Sequence, residues 1–292
     1  MKFDVKRVVR VLTAAGFIAT FAGAAQADEK QVSGVPVFDG HVHYNEDATV
    51  AYSPAQIVAR MQAAGVPRAL VSSTSDDNTL ALLKEGGDSL VVPFLRPYGG
   101  QIHAGNWYRH PDTLAYLKSR WDPARYAGIG EFHLHQFAGA DSETVRAVAR
   151  MTTDDGRMMH VHADAAVIEA IFAHTPDARI LWAHAGMVDP PEIIARMLAA
   201  QKNLWAEISI RGFEIAPGGA LDPDWRELFV TYPDRFMTAS DTYVTSQWDT
   251  YADIIDRHRI WLAQLPPDIG RAIAHGNAVQ LFGSGGLAEL EK

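Results

Sequence analysis

The sequence predicts an α/β protein, a single-domain (β/α)8 TIM barrel with C-terminal helices, and three observations carry that prediction. Short apolar runs alternate with amphipathic stretches along nearly the whole chain, the pattern of successive βα units and a parallel sheet. Eight such runs occur, in a length close to the ~250 residues usual for this barrel. Histidine pairs stand where those runs stop, which in a barrel is the face that carries the active site. No G-x-G-x-x-G turn follows the first run, so an open dinucleotide-binding sheet lacks its signature.

In order, the predicted strands are 35–39, 68–73, 90–95, 127–131, 158–162, 179–184, 203–209 and 235–240. Ser53-Pro54 opens the first helix with a cap and a first-turn proline. Further helical patterns cover 78–85, 111–120, 142–151, 165–173 and 191–200, with a short one at 224–229. Two longer C-terminal helices are expected over 246–262 and 267–282. No repeat or Gly/Ser linker divides the chain.

Ahead of the barrel, Lys2, Lys6, Arg7 and Arg10 precede an apolar run from Val11 to Ala24, too short for a comfortable membrane span. Ala25-Gln26-Ala27 then offers a small-x-small site. Residues 1–27 are therefore expected to be a secretory signal cleaved after Ala27, leaving 28–292 as the barrel domain in a bacterial periplasm. The chain has no cysteine, which excludes disulfides, thiolate ligands and a cysteine nucleophile. Any metal must be held by nitrogen and oxygen. The formal charge of −9, more acidic still without the basic leader, argues against nucleic acid and anionic lipid as partners. The expected partner is a small-molecule substrate, with no membrane association after signal removal; oligomeric state is not legible.

Asp39-Gly40-His41-Val42-His43 follows the apolar run Val35-Pro36-Val37-Phe38. Residues two apart on an extended chain point the same way, so His41 and His43 are placed to hold one ion. Asp39 is expected deeper on that face, either orienting a ligand histidine or making a structural hydrogen bond. The fourth strand ends at Glu131, followed by His133 and His135. A carboxylate ending an apolar strand is costly unless paired or metal-bound, so Glu131 is read as a ligand or a bridge between two metals. Lys30, Lys84, Lys118, Lys202 and Lys292 all lie away from strand ends, and Glu131 is taken as the sole acid placed to bridge.

His162 ends the fifth strand and is assigned as ligand, with His160 a layer deeper. His184 closes the sixth strand as ligand or acid/base, and Gly186 is read as leaving room for substrate. Asp241, after the eighth strand, is assigned as ligand and general base toward a metal-activated water. Arg96 and Arg211 follow the third and seventh strands as clamps for a substrate carboxylate or phosphate, with barrel-rim salt bridges as the alternative. His135 joins them as a candidate substrate contact. Trp182, Tyr243 and Trp248 are read as either an aromatic wall or core.

At these residues the sequence resembles the amidohydrolase superfamily of metal-dependent TIM-barrel enzymes, in its amidohydrolase-related branch. D-G-H-V-H at Asp39–His43 resembles the first-strand motif, L-W-A-H-A-G at Leu181–Gly186 the sixth, and Ala239-Ser240-Asp241 the eighth. Ile273–Phe282 is similar to the closing G-N-A-x-x-L-F helix. The resemblance implies His41, His43 and Asp241 on one divalent metal, with His162 and His184 on a second or divided between ligand and acid/base roles. Ile129-Gly130-Glu131 resembles the metal-bridging strand of TatD-type hydrolases, while His133 and His135 depart from that pattern. Zn2+ is the expected ion, one or two of them, with Mn2+ as an alternative. The expected activity is hydrolysis of a small lactone, amide, ester or phosphoester. The second reading is a metal-dependent non-oxidative decarboxylase of an unsaturated or aromatic acid; a binding barrel without turnover is the third.

Overall fold

A computed structural model describes residues 34–135 and 137–289, so the expected secretory signal at 1–27 lies outside the described residues. Eight parallel strands follow one another around the molecule: β1 Phe38–Val42, β2 Arg68–Val71, β3 Val91–Leu95, β4 Gly128–His133, β5 Met158–His162, β6 Ile180–Trp182, β7 Leu204–Glu207 and β8 Phe236–Met237. The amides of Gly40 and Asp241 donate to the carbonyls of Thr238 (2.8 Å) and His41 (2.7 Å). Those bonds bring β8 back beside β1, and the architecture is the expected TIM barrel.

Helices cover the outside, and local sequence starts them. Ser53 Oγ accepts from the amide of Gln56 while Gln56 Oε1 accepts from the amide of Ser53, a capping box ahead of the helix Pro54–Ala63. The Asp164 side chain accepts from the Val167 amide, and that of Asp222 from the Asp224 and Trp225 amides, capping the helices Ala165–His174 and Pro223–Thr231. The main core lies between strands and helices, with Ile129, Phe132, Val161, Trp182 and Ile208 among its buried members.

The lumen is divided by polarity. At its N-terminal end Phe38, Leu70, Val92, Phe94, Met158, Leu181 and Met237 form an apolar plug. Phe282, from the closing helix Asn277–Phe282, packs on it with ring centroids 5.8 Å from Phe38 and 5.9 Å from Phe94. Arg68 donates to the carbonyls of Asp88, Ser89 and Phe282 and ties the closing segment under the barrel. Histidines and carboxylates therefore occupy the C-terminal half alone, where burial must be matched by pairing.

Two register shifts set which side chains enter that half, one between Asp39 and Val42 and one between Gly130 and Phe132. In a regular strand, residues three apart face opposite sides. The first shift lets Phe38 join the apolar plug while His41 still faces inward. It also turns Asp39 away from the metal face: its carboxylate accepts from Tyr251 O–H (2.7 Å), the Ser240 amide (2.9 Å) and the His41 amide (3.2 Å). The structural hydrogen bond is the role observed for Asp39. A Cβ at Gly130, where φ is +130°, would run into the His160 carbonyl, so the second shift requires glycine there.

Strands six and eight are shorter than expected. β6 stops at Trp182, and His184 and Ala185 take left-handed φ values of 55° and 46° in a short turn. Ile210 and Asp241, after β7 and β8, are also left-handed. Such backbone at strand ends concentrates at functional sites. Gly186 serves packing rather than substrate access: a Cβ there would collide with the Trp182 ring and the Asp189 carboxylate. The C-terminal helix expected over 267–282 is interrupted by a wider turn at Ala272–Gly276.

Candidate metal centre

His41 lies within β1 and His43 just beyond it, both buried, with their Nε2 atoms 2.9 Å apart. The Nδ1 of His41 faces Glu207 Oε1 at 2.9 Å, and that of His43 faces the Ser72 carbonyl, with Arg96 Nη1 3.2 Å away. An ionised carboxylate and a carbonyl only accept hydrogen bonds. In a neutral His41 the proton therefore sits on Nδ1, which turns the Nε2 lone pair toward His43. Asp241 Oδ1 lies 3.6 Å from His41 Nε2 and 3.3 Å from His43 Nε2. It is buried and has no hydrogen-bond partner. Converging acceptors without a donor are unfavourable unless a cation lies among them. Two imidazoles and a carboxylate suit a divalent ion, and the ligand atoms of His41, His43 and Asp241 all lie within 4.8 Å of one another.

Glu131 joins this group to a second one. Its Oε2 is 3.5 Å from His41 Nε2 and 3.3 Å from His43 Nε2. Its Oε1 is 2.9 Å from His162 Nδ1, 3.6 Å from His184 Nε2 and 3.7 Å from His133 Nε2. Glu131, His133 and His162 form a further set with ligand atoms within 4.8 Å. His162 lies nearer the mouth than His160, which is fully buried with its ring centroid 4.4 Å from that of His41. His184 is fixed from behind by Ser209 Oγ, 2.7 Å from its Nδ1.

Charge is distributed accordingly. Burial opposes a proton on His41, yet Asp241, Glu131 and Glu207 together raise its pKa well above the ordinary histidine value. His184 is also raised: burial opposes its charge, and Glu207 and Glu131 outweigh it. Burial works against ionising Glu131, Glu207 and Asp241, but the surrounding histidines hold all three below the usual carboxylate range. His133 and His160 are pushed down by burial, to about 3 and about 4, so both are neutral imidazoles.

Sequence reasoning missed Glu207. Glu207 ends β7 fully buried. Its Oε1 also accepts from the His184 amide at 2.8 Å, and its Oε2 from the Ser209 amide at 2.7 Å. The signal was present: a carboxylate closing the apolar run Leu204-Trp205-Ala206, the pattern that singled out Glu131.

The family model described as Amidohydrolase matches residues 5–284. The chain belongs to the amidohydrolase family. No curated protein matches it in sequence. Among solved structures it is similar to a probable 2-pyrone-4,6-dicarboxylic acid hydrolase from Acinetobacter baumannii (13% identity, TM-score 0.57, covering 85% of this chain and 99% of that one). It is similar also to a TatD-family hydrolase from Entamoeba histolytica (8%, 0.58, 86% and 99%). A third is an organophosphorus hydrolase from Deinococcus radiodurans (15%, 0.54, 86% and 93%). At these identities the likeness speaks for the fold. Family and fold together make this amidohydrolase an enzyme and support metal-dependent hydrolysis in general.

The expected anion clamps of the amidohydrolase are engaged within the protein. Arg96 is buried, donating from Nη2 to Glu131 Oε2 (2.8 Å) and from Nε to the Glu131 carbonyl (3.2 Å). Arg211 pairs with Glu214, donates to the carbonyls of Ala185 (3.0 Å) and Asp189 (2.8 Å), and lies over the Trp225 ring. Both therefore show the salt-bridge alternative. His135 is exposed at the mouth, its ring 5.4 Å from His133 and 5.6 Å from His162. Trp182 and Trp248 are core, and Tyr243 is exposed.

Proposed function

We propose that this amidohydrolase is a two-ion hydrolase of small neutral carbonyl or phosphoryl compounds, lactones and esters first, then amides and phosphoesters. The observation that carries the reading is the split of Glu131, with Oε2 toward His41 and His43 and Oε1 toward His162, His184 and His133. His41, His43 and Asp241 would hold one ion, and His162 with His184 or His133 the other, with zinc preferred for this nitrogen-rich donor set and manganese as the alternative. When bound, such ions polarise the scissile bond and make water a competent nucleophile near neutral pH.

The remaining work falls to the chain itself. Asp241, with one oxygen free of hydrogen bonds and the other 3.9 Å from His184 Nε2, takes the proton of the attacking water and returns it to the leaving group. Glu207 and Ser209 keep His184 in one orientation. The engagement of Arg96 and Arg211 weighs against the decarboxylase reading, which needs an arginine free to hold a carboxylate. It also weighs against a dicarboxylate like the one named for the Acinetobacter neighbour, while a pyrone, as a cyclic ester, is the kind of bond we favour. The N-terminal basic and apolar pattern supports periplasmic export, which cell fractionation tests.

Elemental analysis with Glu131→Ala tests the centre. The two-ion reading expects two equivalents in the parent protein and one in the variant. One equivalent in both, with carbon dioxide released from unsaturated acids, would establish the decarboxylase instead.

A further inference from the structure

Between the loops that follow β7 and β8 runs a groove of about 590 Å³. One face of the helix Tyr251–Leu262, with Ile254, His258 and Trp261, forms one wall, and Phe213 and Ala216 stand opposite. Its inner end is built from Ala239 and Ser240, the residues directly before Asp241.

We propose that this groove is a subsite for the unbranched apolar tail of the substrate, whose scissile head lies at Asp241; the proposal rests on the hydrolase reading above and names the substrate class as amphiphilic. Four observations point the same way. Exposed large apolar side chains gather here: Ile210, Phe213 (71% exposed), Tyr243 and Ile260 line the groove, and Val244 adjoins it. Contiguous exposed apolar surface of this kind marks a binding site. Several polar side chains of the wall bond within the protein: Gln247 donates to the Asp241 carbonyl, Ser240 to that of His41, His258 Nε2 to that of Ala239, and Arg257 Nε to that of Asp253. The volume lies within the ~300–1,000 Å³ typical of small-molecule sites, and the surface is concave rather than the flat patch a protein partner covers. The inner end of the groove also adjoins Asp241, which directly follows Ser240 in the chain.

The test uses straight-chain alkanols from butan-1-ol to decan-1-ol as uncharged probes, titrated by calorimetry into the metal-loaded full chain. Affinity should rise by up to about fourfold per added methylene until the groove is full. Phe213→Ser and Ile260→Ser, both at exposed positions that the fold tolerates, should flatten that rise. Val230→Ser, on the helix Pro223–Thr231 outside the groove, should leave it intact. A flat series in the parent protein overturns the proposal, as does a steep series unchanged by both groove variants. A dimer in sedimentation that Phe213→Ser dissociates, with no alkanol response, assigns the surface to a second copy and overturns it too. Because binding is read without turnover, the two readings fail separately. A steep series in a protein that cleaves no ester or lactone keeps the groove and removes the hydrolase, while short-ester turnover with a flat series does the reverse.

Discussion

Glu207→Gln is the sharpest probe of how the centre is held. Glu207 is fully buried, and its two oxygens accept from three donors: His41 Nδ1–H at 2.9 Å, the His184 amide at 2.8 Å and the Ser209 amide at 2.7 Å. Glutamine is nearly isosteric but has one acceptor oxygen. In either amide orientation its NH2 group faces a donor, Ser209 N–H or the His41 and His184 pair. One charge-assisted hydrogen bond is lost, worth ~1.5–3 kcal/mol. The glutamine loses the Ser209 amide when its oxygen stays toward His41 and His184, and the two bonds it keeps weaken on passing from a carboxylate to a neutral amide oxygen; the outer partner of a ligating histidine fixes both its tautomer and its ring orientation. Such partners typically contribute 10–100-fold to metal affinity, equivalent to ~1.4–2.7 kcal/mol, so the two routes to the magnitude agree. Competition with a chromophoric chelator at fixed pH should show the Kd weakened by that factor, with the far-ultraviolet circular dichroism of the parent retained. Unchanged affinity and stoichiometry in a folded Glu207→Gln protein would refute the assignment of Glu207 as the group that orients His41 and His184.

Two further outcomes follow from the same geometry. Asp241→Asn should lower kcat by about 10²–10⁴, while the Glu131–His162–His184 side retains its ion; steady-state kinetics with elemental analysis checks this, and full activity would exclude Asp241 as the base. In the metal-free protein the raised pKa values of His41 and His184 stabilise the fold fully below ~6.5, and that contribution is lost as pH rises through the raised values. The depressed Glu131, Glu207 and Asp241 stabilise it above about 4.3, and that contribution is lost as pH falls through their lowered values. The metal-free Tm should therefore fall between pH 6.5 and 9 while the loaded protein, whose charge comes from the ions, holds; a Tm gap constant across that range contradicts the charge assignment.

The strands were legible because buried parallel strands read as apolar runs, and the ends of β2, β3 and β5 fall within one or two residues of expectation. His41 and His43 were legible for a related reason, since two-residue spacing keeps side chains on one face even beside an irregularity. What failed to show was anything governed by the register shifts at Gly40 and Gly130 or by the left-handed turns at His184 and Asp241. Asp39 turned outward because the shift in β1 reverses the alternation between it and His41. Arg96 and Arg211 kept two open roles for another reason. An arginine after a strand has the same local sequence whether it reaches for substrate or folds back, and the acid that captures it, Glu131 for one and Glu214 for the other, is decided by packing.

Glu207 shows why a histidine-rich site is better read from its carboxylates. Imidazoles at strand ends can be ligands, acid/base groups or packing residues, and His160, His162 and His184 look alike in sequence while standing in three different environments. A buried carboxylate has fewer options, because its charge must be met by cations or protons within a few ångströms. Glu131, Glu207 and Asp241 are all held ionised, and Arg96 is the guanidinium in contact with Glu131. That leaves negative charge that His41 and His184 offset by taking up protons when no metal is bound. One divalent ion replaces two protons in that balance, so metal uptake at neutral pH should release protons. The released number, measured by calorimetry in buffers of different ionisation enthalpy, counts how many of these imidazoles become ligands.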